Sequence, residues 1–416
     1  MSWSDPLPAA CDVAVVGGGI VGLAVARELL KRHPDLKLCL LEAEDRLAAH
    51  QSSHNSGVIH AGVYYEPGSL RARLCVEGAL MMESFLIEHD LPWRHAGKLV
   101  MATDERELPR LDELERRARA NGVRDLARVG PDGIEAIEPE ARGLAALHSP
   151  FTGVTDFGKV AAALGDEVER LGGEVRTAAA ITGITDPTVA HPPPRSPAGG
   201  GGTILPTVRG TLRAGTAVFC AGLQSDRLAR MAGGDPEPHI VPIRGSYLKV
   251  RPEREAMVRG NLYPVPEPEL PFLGAHLTRT IDGSLLIGPT ALMVAARDAY
   301  RLTRMSGRDL ADAARWPGTW KLIARHPAAA AGELANSIHP GRLARQAARM
   351  LPNLTPGDVT RGPAGVRAQA LGRDGRLIED FLIEETEAGL HVRNAPSPAA
   401  TSAFALAKRI ADGVLT

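Results

Sequence analysis

Nothing in this chain is long and apolar enough to cross a membrane: no run reaches the roughly 18 apolar residues that a spanning helix needs. The first ten residues, MSWSDPLPAA, have neither a basic stretch nor an apolar core, so they read as no secretory signal. Cysteine is scarce. Cys11, Cys39, Cys75 and Cys220 lie far apart, with no CxxC pair, which argues against a disulfide framework or a thiolate metal site. Cys39 and Cys220 fall inside apolar runs and read as buried reduced thiols, suited to a reducing compartment. No HExxH occurs, so no metal is expected. Net charge is nearly absent too: 48 Lys and Arg face 49 Asp and Glu, giving −1 at pH 7. Bulk electrostatics therefore offers nucleic acid no attraction. A cytoplasmic placement is expected, with peripheral contact at an inner membrane left open.

What is present is the composition of an ordinary soluble protein, 44% apolar and 23% charged. At 416 residues, two joined domains are expected. Residues 12–42 organise the chain. Val13, Val15 and Val16 read as a buried parallel strand. Gly17-x-Gly19-x-x-Gly22 follows at once, then an apolar helix from Ile20 that stops before Pro34, then a second strand ending at Glu42. Gly17 permits a tight turn, Gly19 lets backbone approach a pyrophosphate, and Gly22 lets helix and strand pack closely. The helix N-terminus, with Ile20 and Val21, offers N–H groups to phosphate. The Glu42 carboxylate, beside Ala43, suits ribose hydroxyls and repels a 2′-phosphate. Together these fit FAD or NAD better than NADP.

The next stretch, residues 50–65, is rich in small and polar groups. Ser52, Ser53, His54, Asn55, Ser56, Gly57, Val58 and His60 follow the dinucleotide unit directly, so they read as a functional loop. Helices are expected at 69–89, 108–121 and 157–171, the last capped by Asp156. A strand carrying Val175 is expected at 174–184. Residues 191–202, HPPPRSPAGGGG, read as a loop without function. The apolar strand ending at Ala221-Gly222 returns to the cofactor unit, which implies a discontinuous domain. Residues 240–361 alternate around glycine turns as in an antiparallel sheet, with two short helical stretches near 308–314 and 342–350. In the tail, Ser397 followed by Pro398 reads as the start of a helix running to about 411.

Several of these stretches carry a family resemblance. GGGIVGLAVARELL, HNSGVIHAGVYYEPGSLRARLC, GPAGVRAQAL and HVRNAPSPAATS resemble the L-2-hydroxyglutarate dehydrogenase/oxidase family, within the D-amino-acid-oxidase-like flavoproteins. IRGSYL, YPVPEPELPF and PFLGAHLT match it too, so the resemblance runs from about residue 12 to the end of the chain. It implies an α/β fold: a Rossmann-like FAD domain from residues 1–90, 148–238 and 361–416. A substrate domain on an antiparallel sheet plus helices would take 91–147 and 239–360. It also implies oxidation of L-2-hydroxyglutarate to 2-oxoglutarate by hydride transfer to flavin, with electrons passed to a quinone, another acceptor or O2. Two departures stand out. The family has an asparagine where Thr290 stands and a lysine where Ala296 stands, which bears on substrate chain length.

A 2-hydroxy diacid calls for cationic, bidentate donors, a role that suits arginine. The resemblance assigns Arg367 to the C1 carboxylate, at the edge of the flavin site. Arg244 and Arg279 are expectations for the distal carboxylate, and Tyr263 and Asn394 for substrate contact. The proton from the hydroxyl needs a base, and His60 and His276 are the expected choices. Backbone at Ala399, Ala400 and Thr401, at the start of the tail helix, would stabilise negative charge on the reduced flavin. Two other readings stay open: an amine-oxidising relative of glycine, sarcosine or D-amino-acid oxidase type, and a flavin-binding protein without turnover.

Overall fold

The β-branched run after Ala10 forms the strand its residues dictate. In the computed structural model, which describes residues 5–185, 202–267 and 273–414, strand β1 (Ala10–Val16) lies inside a seven-stranded sheet. Val13 and Val15 are fully buried there. Helix α1 (Ile20–Arg32) follows the glycine turn, and strand β2 (Leu38–Leu41) returns parallel to β1, Val13 opposite Leu38. On the other side of β1 runs the strand Gly210–Phe219, then Gly389–Asn394, both parallel. The antiparallel strand Leu382–Thr386 and the short strand Glu174–Arg176 form the two edges. Three separated stretches of chain thus build one sheet. Helix α1 and the helices Leu70–Glu88, Phe157–Arg170 and Ala403–Val414 share one apolar core with it.

Residues 98–149 and 239–371 supply a second sheet of nine strands. It is antiparallel apart from Asn261–Pro264, which runs parallel beside Lys98–Ala102. Its longest pairing joins His239–Val250 to Val359–Leu371, with Ile243 opposite Arg367. The expected boundary at 361 therefore falls inside a strand that belongs wholly to the second sheet.

Local expectations fared unevenly. Ser69 caps Leu70–Glu88, its hydroxyl accepting the Ala72 N–H at 3.1 Å. Asp156 caps Phe157–Arg170, accepting the Gly158 N–H at 2.8 Å. The strand carrying Val175 is only Glu174–Arg176. The tail helix starts at Ala403, not Pro398. Residues 397–402 turn instead, with the Ala399 N–H on the Pro396 carbonyl (2.8 Å) and the Ser402 N–H on that of Pro398 (2.9 Å). Thr401 is held there because its hydroxyl accepts the His60 N–H at 3.0 Å. Three helices escaped the sequence reading, Pro131–Ile137, Pro317–Arg325 and Pro327–Ile338. The loop 191–202, apart from its last residue, lies outside the described residues, as do 268–272 of the YPVPEPELPF stretch.

Candidate functional site

A cavity of about 990 Å³ opens where the first sheet meets the second. That is the upper end of the roughly 300–1,000 Å³ typical of small-molecule sites. Its far end is lined by Gly17, Gly19, Ile20, Val21, Glu42 and Ala43. Gly17 has φ +116°, and a Cβ there would lie 2.3 Å from the Cys220 carbonyl oxygen. Gly22 does not line the cavity: its missing Cβ would fall 2.0 Å from the Gly17 oxygen, so it seats the helix on the turn. Glu42 accepts the Gly18 N–H at 2.6 Å and the Glu44 N–H at 2.9 Å, one per carboxylate oxygen. Burial raises its pKa, and each oxygen keeps acceptor capacity for a ribose hydroxyl. A Gly17→Ala variant should bind FAD at least tenfold more weakly, because the turn must open to admit the methyl group. Flavin absorbance after purification and an FAD titration would check this.

The loop after β2 bends back over the glycine turn. Ser52 Oγ accepts the Ile20 N–H at 2.9 Å, at the N-terminus of α1. His54, Asn55, Ser56, Gly57, Val58 and His60 line the cavity. Asn55 organises the loop itself, donating to the Gln51 and Ser52 carbonyls and accepting the Gly57 N–H. Ser53 turns away from the cavity to the Ala48 carbonyl at 2.7 Å. Val175 is also outside the lining, packed in the apolar core, while Ala179 and Ala180 line the cavity beyond it. Tyr300 clasps the loop: its hydroxyl meets His50 Nδ1 at 2.9 Å and its ring lies 4.2 Å from that of His54. Ala221, Gly222, Ser397, Pro398, Ala399, Ala400 and Thr401 complete the wall as strand end and turns. With the helix starting at Ala403, a helix dipole at Pro398 is ruled out.

The other end is lined by Tyr263 and His276 from the neighbouring strands Asn261–Pro264 and His276–Arg279, and Lys98–Ala102 runs on the other side of Asn261–Pro264, outside the lining. Adjacent strands bring Lys98, Tyr263 and His276 together. The His276 ring stacks on Tyr263 at 4.1 Å. Lys98 Nζ lies 4.6 Å from the centre of the Tyr263 ring and 5.2 Å from that of Tyr64. Lys98 is buried and makes no salt bridge among the described residues, and burial lowers its pKa to about 8. Burial lowers His276 to about 3, with the Arg367 and Lys98 charges adding to it. His60 is held well below the usual histidine range by burial, then by Lys98 and His276. Both imidazoles are therefore neutral at pH 7. His276 Nδ1 sits 3.0 Å from the Gly274 carbonyl, which assigns the proton to Nδ1 and leaves Nε2 as a lone-pair acceptor. Arg367 lines the same end, with Tyr247 and Glu333 close enough to act on its charge.

Two other arginines are elsewhere. Arg244 lies outside the lining: its guanidinium donates to the Ser246 hydroxyl and, at 3.1 Å, to the Tyr300 carbonyl, anchoring the clasp. Arg279 donates to the Glu255 carbonyl, also away from the cavity. Asn394 lines the cavity, but its amide donates to the Ile378 and Asp380 carbonyls. Thr290 ties backbone, its hydroxyl accepting the Ser246 N–H at 2.9 Å, and Ala296 is fully buried. Neither departure from the family pattern touches the cavity. The sequence reading missed Lys98, Tyr64, Tyr247 and Arg71. A lone lysine heading the apolar run KLVMA was the available signal. Arg71 lies 4.6 Å over the Tyr65 ring and donates to the Glu379 carbonyl.

The donor set fits a flavin dinucleotide: a glycine turn no Cβ could share, a carboxylate at the end of β2, and a long polar-and-apolar trough leading to the histidines. His60 Nδ1, the Tyr64 hydroxyl and Asn394 Oδ1 are buried without a hydrogen-bond partner among the described residues, as groups that await a bound molecule are. Residues 12–413 match the family model described as FAD dependent oxidoreductase. The chain belongs to that family. It is an enzyme, and FAD is its cofactor. A Nematostella vectensis protein named L-2-hydroxyglutarate dehydrogenase, mitochondrial, is 45% identical over 96% of this chain and 90% of its own length. A protein of Indibacter alkaliphilus named L-2-hydroxyglutarate dehydrogenase is 36% identical over 97% of this chain and 98% of its own. Among solved structures, the L-alpha-glycerophosphate oxidase of Mycoplasma pneumoniae, with FAD bound, superposes with a TM-score of 0.75. It is 22% identical and covers 98% of this chain and 94% of that one; this likeness shows the fold. No helix among the described residues is long and apolar enough to cross a membrane.

Proposed function

We propose that this flavoprotein oxidises L-2-hydroxyglutarate to 2-oxoglutarate and passes the electrons to a quinone, another acceptor or O2. Relatives that bear this activity in their names match along nearly the whole chain. The observation that carries the chemistry is neutral His276 lining, with Arg367, the end of the cavity away from the glycine turn, with the Lys98 charge behind the Tyr64 and Tyr263 rings and close enough to act on the imidazole. When bound, FAD supplies the hydride acceptor. Arg367 holds the C1 carboxylate with a planar pair of donors, and Lys98 adds positive charge for a dianion. His276 Nε2 takes the hydroxyl proton as the C2 hydrogen leaves. Tyr64 and Tyr263 shut water out beside it. In the cofactor half, Glu42 would hold the ribose, and the loop at Ser52–Val58 would hold the rest of the dinucleotide. Four free cysteines, three of them buried, suit a reducing compartment; the cytoplasm is the one proposed, and cell fractionation tests it.

The deciding experiment is anaerobic mixing with the L and D forms of 2-hydroxyglutarate and with glycine, following the oxidised-flavin absorbance. Rapid bleaching with the L form alone is expected. Bleaching with glycine and release of ammonia would replace this reading with amine oxidation, and no bleaching with any of them would remove it.

The Lys98 ammonium gives a pH signature. Its cation is present below about 8 and lost as pH rises through that value. The kcat/KM for a dianionic substrate should fall over the same range. A Lys98→Met variant should start lower and lack that limb.

A further inference from the structure

A five-carbon diacid carries a carboxylate at each end, and Arg367 accounts for only one of them. Arg244 and Arg279, the arginines expected for the other, turn to protein carbonyls and a serine hydroxyl away from the cavity. Lys98 stands behind the Tyr64 and Tyr263 rings. Arg71, by contrast, lines the cavity itself, together with His60, Tyr65 and Ser397. It is the second residue of the helix Leu70–Glu88. Its backbone is pinned there: the Asp380 carboxylate accepts the Leu70 N–H at 3.1 Å and the Arg71 N–H at 2.8 Å. Its guanidinium lies 4.6 Å over the Tyr65 ring, and one terminal nitrogen donates to the Glu379 carbonyl. The ring contact and that bond fix the plane of the group.

The bonds of this side chain leave room for a ligand. A guanidinium has five N–H donors. The Glu379 carbonyl takes one, and Nε is buried with no acceptor among the described residues. A buried donor left unmade is costly unless a bound molecule supplies the acceptor. Nor is the charge paired. Asp380 spends its carboxylate on backbone, Glu66 is held by Arg117 at 3.0 Å, and Arg71 makes no salt bridge among the described residues. After burial itself, the charges that depress His276 are those of Arg367 and Lys98, whereas those that depress His60 are of Lys98, His276 and Arg71. The two arginines therefore flank the histidine pair from opposite sides. We propose that Arg71 holds the distal carboxylate of the diacid, presenting Nε–H and a terminal N–H to its two oxygens, while Arg367 holds the C1 carboxylate. The proposal rests on the substrate reading above and names the residue that makes the site choose a diacid.

The test compares two substrates on the full-length holoenzyme: L-2-hydroxyglutarate, and L-2-hydroxyvalerate, the same carbon chain with a methyl group in place of the distal carboxylate. Arg71→Met, which keeps the length and the ring contact, should lower kcat/KM for the diacid by about 10- to 150-fold, the range for hydrogen bonds to a charged group. Most of the loss should fall in KM. The monoacid makes no such contact, so the preference for the diacid should shrink by nearly the whole of that factor. Arg71→Lys should recover part of it, because an ammonium keeps the charge and loses the fork. Titrating the oxidised flavin spectrum with glutarate, a diacid with no hydroxyl to oxidise, should show its Kd raised by the same factor, independent of turnover. Equal losses with both substrates would overturn the proposal and make Arg71 a brace of its helix. So would a parental KM for the diacid in Arg71→Met. Should Arg71→Met lose its flavin, the substrate preference and glutarate Kd of Arg71→Lys decide on the same terms. A parent enzyme that leaves its flavin oxidised with L-2-hydroxyglutarate would remove the substrate reading itself, and this proposal with it, which tells the two failures apart.

Discussion

An Arg367→Ala variant should lose substrate affinity heavily while keeping its flavin. Arg367 is the arginine of the second sheet that lines the cavity where the two histidines stand. It projects from the strand Val359–Leu371, which is braced along its length by His239–Val250, so the guanidinium is carried by a rigid element. Removing one partner of a buried, hydrogen-bonded charge pair costs roughly 2–5 kcal/mol. At 1.4 kcal/mol per tenfold, kcat/KM for the diacid should drop by about 30-fold to several thousand-fold. Most of this should fall in KM, because the carboxylate is held alike before and during hydride transfer. Arg367→Lys should recover only part, since an ammonium cannot match both carboxylate oxygens. FAD stoichiometry and the visible spectrum should stay as in the parent, because the glycine turn and Glu42 lie at the far end of the cavity. Steady-state kinetics with a flavin count checks both halves. Parental KM in the alanine variant would remove Arg367 from substrate binding.

The cofactor half was legible because its parts are contiguous. Strand, glycine turn, helix, strand and acid occupy residues 10–42, and local backbone chemistry alone sets their geometry. The substrate half was legible only in outline. Lys98, Tyr263 and His276 come from strands separated by more than 160 residues of chain in the case of Lys98 and Tyr263, and their meeting is decided by strand order, which no local pattern encodes. Arg244 shows the same limit from the other side. It stands in a suggestive run, IRGSYL, yet its side chain anchors the Tyr300 carbonyl and misses the cavity. The turn at 397–402 was misread because Ser-Pro is a good helix start in isolation. The tie from Thr401 to the His60 N–H, 341 positions away, delays the helix to Ala403. The helix Pro327–Ile338 was invisible for a plainer reason: a reading that seeks apolar residues on an inward stripe finds none where the buried residues are Asn336 and Ser337.

The choice between the two histidines is the second large effect, and hydrogen bonding makes it. His276 has its Nδ1 proton fixed by the Gly274 carbonyl, so Nε2 is presented as a base by a side chain already oriented by the Tyr263 ring. Among the described residues His60 has no such partner at Nδ1, and its Nε2 reaches only to the Ser397 hydroxyl at 3.5 Å. A His276→Gln variant should therefore lose about 10²–10⁴ in kcat, the usual span for a general base, while His60→Gln loses less. Anaerobic bleaching should slow by the same factor as turnover, since the missing group acts in the chemical step. The pH profile gives an independent check. With His276 lowered to about 3 in the free enzyme, kcat/KM should show no acid limb at 6.5 and stay flat down to about pH 5. Stability carries the opposite signature. The unfolded chain protonates these histidines near 6.5 and the folded chain does not until far lower. Their contribution is fully present above 6.5 and is lost as pH falls toward the folded values. A protein that melts earlier at pH 5 than at pH 7, yet keeps its kcat/KM over the same range, is the combined result that a buried neutral base predicts. An acid limb at 6.5 that His276→Gln removes would mean instead that the imidazole meets water in the free enzyme, and that the tyrosine wall opens before substrate arrives.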